Sequence, residues 1–287
     1  MLQYYEVEFL LGGENVPFCD YHIHTCYSFD ADKSATPRAI CQAAIERRLT
    51  DIAFTDHFDV NAQAEGLYTP YDADAAYSDI MQAKEEFKNK INITYGIELG
   101  QANQYTDLAR KMLNAHPYEF VLASLHNLRS MPDFYFLDFK SMESGEIFTL
   151  MSDYFDEMTE MIKSIDKIDS LSHITYPCRY IALAEKSIDL STLYGKIESI
   201  FKQIISRDIA LEINSSTHIK GLGFCMPDRE LLSLYRECGG RLITLGSDAH
   251  SPSAVGSSIP YAAELAKSCG FDSALVVRGG NKELMKL

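Results

Sequence analysis

The chain has 287 residues, 46% of them hydrophobic, which is enough apolar sequence for one large α/β domain or two ordinary ones. A formal net charge of −15 argues against polyanionic partners, so neither nucleic acid nor an anionic membrane surface is expected. Seven scattered cysteines without a CxxC pair, no signal-peptide pattern in residues 1–15 and no apolar run of membrane-spanning length point to a cytoplasmic protein with reduced thiols.

Residues 1–16 form an N-terminal extension whose pattern fits either an edge strand or a flap. A first strand is expected over 17–24, ending in His22 and His24. A loop rich in Ser and Asp follows, and Thr36-Pro37 reads as an N-cap with proline at the first helical position. Ile40, Ala44, Ile45 and Leu49 give that helix its apolar stripe. The second strand, 51–55, runs into Thr55-Asp56-His57, and a helix over 73–90 follows a long loop. The third strand, 92–99, carries Glu98 and precedes a helix over 103–115. The fourth, 120–124, runs into Leu125-His126, after which 127–145 is a long insertion containing Phe134, Tyr135, Phe136 and Phe139. Long loops in compact domains are more often functional than decorative. A helix over 146–165, a short fifth strand over 170–172 ending at His173, and a helix over 190–207 come next. The sixth strand, 210–213, holds Glu212 and leads to Asn214; a helix over 228–238 is stopped by Gly239-Gly240. The seventh, 242–245, runs into Gly246-Ser247-Asp248-Ala249-His250, and a helix over 254–269 precedes a candidate last strand over 275–278. Repeated strand–helix alternation implies a parallel sheet with helices outside, closed or nearly closed into a relative of the eight-unit TIM barrel; a doubly wound open sheet is the alternative.

Six of the eight histidines stand at the C-terminal ends of strands, together with Glu98 and Asp248. In a parallel barrel those ends share one rim, where active sites lie. His22 and His24, two residues apart, point to one face of a strand. Clustered imidazoles and carboxylates without thiolates suit Zn²⁺, Mn²⁺ or Fe, and a set larger than the four ligands of one closed site implies more than one ion, with a carboxylate able to bridge two. Asp20 and Asp56 precede ligand-type histidines and are expected to orient imidazoles. Glu212 is expected behind the ligands, or in the barrel interior, rather than among them. His116, His218 and the cysteines are expected to be ordinary structural residues.

Taken as an ordered set, HxH after the first strand, TDH after the second, Glu after the third, His after the fourth and fifth and DAH after the seventh resemble the PHP family (polymerase and histidinol phosphatase), over 20–250. The resemblance implies a distorted (β/α)7 TIM-like barrel, a single domain over 1–287, with three divalent metal ions (Zn, Fe and/or Mn) at the strand ends. It adds Asp30 to the ligands. The implied grouping is His22, His24, Glu98 and Asp248 for a first ion, Glu98 as bridge with His126 and His173 for a second, and Asp30, His57 and His250 for a third. Glu98, Asp248 and His250 are the implied catalytic residues, the last two as candidate proton donors by position only.

Three divalent ions set against Asp30, Glu98 and Asp248 leave a cationic cavity in an acidic protein, which favours a small-molecule phosphate ester. Arg179, six residues after His173, is a candidate to bind the phosphate in a bidentate way. Ser124-Leu125-His126 followed by the aromatic insertion, and His173 followed by Pro177 and Arg179-Tyr180, resemble the free-standing histidinol-phosphate phosphatases. That resemblance implies hydrolysis of L-histidinol phosphate to L-histidinol and phosphate, in histidine biosynthesis. Residues 134–139 are expected either as a lid over the imidazole end of the substrate or as packing on the barrel's outside. Three rival readings stand beside this one. They are a PHP phosphoesterase acting on another phosphate ester or nucleotide, an amidohydrolase-type hydrolase that shares HxH but lacks the Glu98-type bridge, and a non-catalytic metal-binding protein. The oligomeric state is not legible.

Overall fold

The computed structural model describes residues 18–287, so the expected N-terminal extension lies outside the described residues. In chain order the elements are β1 (Phe18–Ile23), α1 (Pro37–Glu46), β2 (Leu49–Phe54), β3 (His57–Asp59), α2 (Val60–Glu65), α3 (Ala73–Phe87), β4 (Asn92–Gly100), α4 (Thr106–Ala115) and β5 (Phe120–Ser124). There follow α5 (Ser144–Ser164), β6 (Ser170–Leu171), α6 (Tyr176–Leu183), α7 (Tyr194–Ser206), β7 (Ala210–Asn214), α8 (Ser216–Ile219), α9 (Arg229–Glu237), β8 (Ile243–Gly246), α10 (Ile259–Ser268), β9 (Ser273–Arg278) and β10 (Asn281–Lys286). Local chemistry explains the starts. Thr36 Oγ1 accepts from Ala39 N, and Pro37 opens α1. Glu143 and Glu146 form a capping box at α5, which then buries Ile147, Leu150, Met151, Tyr154, Phe155 and Met158 at helical spacing.

The strands pair in parallel in the order β1-β2-β4-β5-β6-β7-β8. β3 continues β2: Phe54 faces Tyr95 and His57 faces Glu98, one register along β4. The two pieces therefore count as one strand of seven. The seven-strand sheet closes at its C-terminal end, where Asp248 N donates to His22 O (2.9 Å) and His24 N donates to Ala249 O (2.8 Å). Closure rules out the open-sheet alternative. β5 and most of β4 are buried on both faces, as strands in a helix-wrapped parallel sheet are.

Strict alternation fails in β1. Its register against β2 shifts between Asp20 and Ile23, and the consecutive Tyr21 and His22 both reach β4 residues on one face. Tyr21 Oη lies 3.2 Å from Thr94 Oγ1, and His22 Nε2 lies 3.3 Å from Glu98 Oε2. The expected last strand exists but belongs to a separate antiparallel hairpin, β9–β10. Val277 of that hairpin accepts from Thr94 Oγ1 (2.9 Å) and donates to Tyr21 Oη (2.6 Å), so the hairpin seals the end of the barrel away from the histidines.

Other boundaries move for identifiable reasons. The helix expected from 254 begins at Ile259, after a 3₁₀ turn at Pro252–Ala254 and a left-handed Ser258. Residues 176–183, given no element above, form a helix with Pro177 in its first turn. Within 127–145 the two expectations divide by residue: Phe134 and Phe139 are buried, whereas Tyr135 and Phe136 are 65% and 61% exposed. Among the described residues, no helix is long and apolar enough to cross a membrane.

Candidate metal centre

Glu98 is fully buried on β4 and its two oxygens divide the imidazoles between them. Oε1 lies 3.2 Å from His126 Nε2 and 3.1 Å from His173 Nε2, and it accepts from Ser124 Oγ (2.6 Å). Oε2 lies 3.3 Å from His22 Nε2, 3.5 Å from His24 Nε2 and 2.9 Å from His57 Nδ1. Asp248 Oδ1 faces the same two nitrogens of His22 and His24 at 3.7 and 3.4 Å. Asp30 Oδ2 lies 3.1 Å from His250 Nε2 and 3.7 Å from His57 Nε2. All nine expected side chains therefore converge on one rim. His116 and His218 lie apart: His116 faces Asp74 (3.2 Å), and His218 Nδ1 lies 2.9 Å from Ser258 Oγ.

The donor set fits divalent cations. Among the described residues, His22 Nε2, His24 Nε2, His57 Nδ1 and Glu98 Oε2 are buried without a hydrogen-bond partner, a costly state unless something else satisfies them. Tetrahedral bonds of about 2.0–2.1 Å place neighbouring ligand atoms about 3.3–3.4 Å apart, and the separations here, from 2.9 to 3.7 Å, bracket that spacing. Four overlapping triads meet the spacing a shared ion needs: His22/His24/Asp248, His22/Glu98/His173, His57/Glu98/His126 and His24/His57/His250.

The electrostatics of the protein alone point the same way. Burial works against ionising Glu98, but His22, His57 and His126 outweigh it and hold the carboxyl well below its usual range. Asp248 and Asp30 are lowered by the same competition, with His22, His24 and Arg179 acting on Asp248 and His57 and His250 on Asp30. Burial opposes charge on the imidazoles too. Carboxylates nevertheless raise His22 and His126, and His57 to about 10. Burial prevails at His24, helped by His250 and His57, and at His173, which falls to about 4.

The outward ring nitrogens are held separately, which aims Nε2 inward. Glu212 Oε1 lies 2.6 Å from His22 Nδ1, on the ring nitrogen opposite the one that faces Glu98. Asp59 Oδ1 lies 2.8 Å from His126 Nδ1. His250 Nδ1 donates to Asp248 O (2.9 Å). Asp59 is not among the residues expected at the site; its signal is its place two residues after His57, on the same face of β3. The roles expected for Asp20 and Asp56 are corrected. Asp20 accepts from Ser247 N (2.9 Å), Ser247 Oγ (2.5 Å) and Gly256 N (2.8 Å), so it braces the loop after β8. Asp56 accepts from Thr25 N (2.6 Å) and Ser28 Oγ (2.7 Å) and touches an imidazole only through Ser28, which lies 3.2 Å from His24 Nδ1.

Above the cluster opens a cavity of about 700 Å³ lined by Phe29, Tyr68, Asp133, Tyr176, Arg179 and Lys220 among others. Arg179 reaches the rim from α6. Its Nη2 donates to Asp248 Oδ2 (2.9 Å) and to Ser216 Oγ, and its guanidinium lies 5.2 Å from the ring of Tyr176. Tyr176 in turn stacks on His173, ring centres 4.9 Å apart.

The chain is 28% identical over 267 residues to a "probable histidinol-phosphatase" of Clostridium acetobutylicum, covering 93% of this chain and 98% of that one. It is 28% identical over 265 residues to the histidinol-phosphatase of Lactococcus lactis subsp. lactis, covering 91% and 94%. The crystal structure of the Lactococcus lactis histidinol phosphate phosphatase, complexed with zinc, L-histidinol and phosphate, aligns with a TM-score of 0.80 at 26% identity, covering 93% of this chain and 99% of that one. A structure from Listeria monocytogenes shares the fold with a TM-score of 0.73 at 19% identity. The PHP domain matches residues 20–216, about two thirds of the chain. This chain belongs to the PHP domain family.

Proposed function

We propose that this protein is a metal-dependent phosphomonoesterase that hydrolyses L-histidinol phosphate to L-histidinol and phosphate. The observation that carries the reading is Glu98, whose two oxygens gather five imidazoles and so offer a bridge between ions. The likeness to a relative crystallised with zinc, L-histidinol and phosphate supports the choice of substrate.

In this reading three divalent ions (Zn, Fe or Mn) are held. His22, His24, Glu98 and Asp248 serve the first; Glu98, His126 and His173 the second; Asp30, His57 and His250 the third. Bound there, such ions supply positive charge to a phosphoryl group and acidify water at neutral pH. The chain's own groups do the positioning. Arg179 keeps its charge because Asp248 offsets the cost of burial, and its Nη1, free of protein partners among the described residues, is set to hold a phosphoryl oxygen. Asp248, held ionised between two imidazoles and Arg179, serves as ligand and anchor and not as proton donor.

The test is phosphate release by metal-loaded protein, comparing kcat/KM for L-histidinol phosphate, an aryl phosphate and a short oligonucleotide. A large preference for the first is expected. Equal, slow turnover of all three would leave a PHP phosphoesterase of different substrate.

A further inference from the structure

Asp133 is the cavity's odd charge. It lies in the insertion after β5, tied to the metal-centre rim because Phe134 N donates to His126 O (3.0 Å). Its Oδ1 accepts from Tyr135 N (2.8 Å) and from Tyr176 Oη (3.3 Å), while its Oδ2 has no partner among the described residues. The charged groups acting on it are His126, His57 and the like-charged Asp59; neither lysine nor arginine is paired with it among the described residues. It lines the cavity beside Tyr68, which stacks on Phe29 with ring centres 3.9 Å apart. Tyr176 sets its height: the ring packs against His173 and His126, centres 4.9 and 5.0 Å away, and the hydroxyl at its far end reaches Asp133. The carboxylate therefore stands about one tyrosine above the metal ligands.

Asp133 and the exposed Asp32 are the two carboxylates lining the cavity outside the proposed ligand set, and a carboxylate there repels the phosphate that must enter. The arrangement makes sense when the remainder of the substrate brings a cation. A carboxylate flanked by aromatic faces is the environment that recognises an alkylammonium. L-histidinol phosphate carries its ammonium on the carbon next to the esterified CH₂, close to the phosphate and within the step that Tyr176 spans. We infer that Asp133 binds the substrate ammonium through Oδ2, making the insertion after β5 the element that selects amino-alcohol phosphates over plain phosphate esters. This rests on the phosphomonoesterase reading above and adds the residue that selects the substrate.

The experiment compares wild type with Asp133→Asn, which keeps the Oδ1 acceptor for Tyr135 and Tyr176 but removes the charge. Four substrates are used: L-histidinol phosphate, its analogue lacking the amine (3-(imidazol-4-yl)propyl phosphate), 2-aminopropyl phosphate lacking the imidazole, and an aryl phosphate. The expected result is a loss of about 10- to 100-fold in kcat/KM, mostly through KM, for the two amine-bearing esters. The other two should change by less than about twofold. Equal losses on all four would make Asp133 a structural residue and overturn the proposal, as would no loss on any. Loss confined to the two imidazole-bearing esters would assign it to the ring instead and also overturn it. Asp133→Glu, which keeps the charge, should restore at least part of the amine preference, and failure to do so with a native thermal midpoint counts against the charge. If wild type does not favour L-histidinol phosphate over the aryl ester, the substrate reading fails; a selective loss on 2-aminopropyl phosphate would then still support ammonium recognition, and its absence would overturn it.

Discussion

At two strand ends the decisive residue is one with no side chain. A Cβ on Gly246 would collide with the Glu212 carboxylate and with His22 Cβ, and one on Gly100 would collide with the carboxylate of Asp59. These glycines make room for the two carboxylates that hold His22 and His126 by their outer nitrogens. Gly246→Ala should therefore weaken metal binding about 10- to 100-fold, the usual effect of losing such a partner; competitive titration with a chelating dye reads it, and unchanged affinity would detach Glu212 from the site. Glu98→Ala should remove both metal binding and turnover, and an active Glu98→Ala protein would end the bridging role. The nine rim residues are legible in the sequence because each stands at a strand end, or, for Asp30, because the motif order resembles a family pattern. Asp133 is not, since its partner Tyr176 lies on α6 and meets it only through folding, and Asp59 shows only its spacing from His57, because its partner His126 follows β5.

The insertion after β5 shows how one element serves two ends. Phe134 is fully buried, edge-on to Tyr154 with ring centres 5.5 Å apart, and Phe139 is buried as well. Tyr135 and Phe136, between them, face the cavity. Phe134→Ala should cost about 3–5 kcal/mol of stability, read as a lower midpoint in urea. Tyr135→Ala should leave the midpoint within about 0.5 kcal/mol, as exposed substitutions do. Equal effects at both positions would mean that the segment is not anchored as described. Hydrophobicity alone marks all four aromatics equally, and this is why the sequence leaves lid and packing undecided. In β1, likewise, simple alternation predicts the His22/His24 pair but not Tyr21 turning inward beside His22.

For the molecule as a whole, the candidate metal centre and barrel closure share residues, since Asp248 N pairs with His22 O and His24 N with Ala249 O. Ions that bind only the folded chain stabilise it by mass action, so chelation should lower the thermal midpoint, and zinc should restore it. An unchanged midpoint would separate the centre from closure. Uptake of ions should also release protons at neutral pH, because carboxylates hold His22, His57 and His126 above their ordinary value in the metal-free protein and ligation needs neutral imidazole. Affinity then rises with pH toward the His57 value of about 10. Calorimetry in buffers of different ionisation enthalpy measures this, and a heat independent of buffer would contradict it.

Asp20 and Ser247, the brace that holds the rim together, stand 227 residues apart. During synthesis at about 5–20 residues per second, the first histidines wait roughly 10–45 s for Asp248 and His250 to be made. Until then the first and third proposed sets each lack a ligand, whereas Glu98, His126 and His173 are all present once residue 173 is made. A ribosome stalled before residue 248 therefore displays a polypeptide that can supply only the second of the proposed sets.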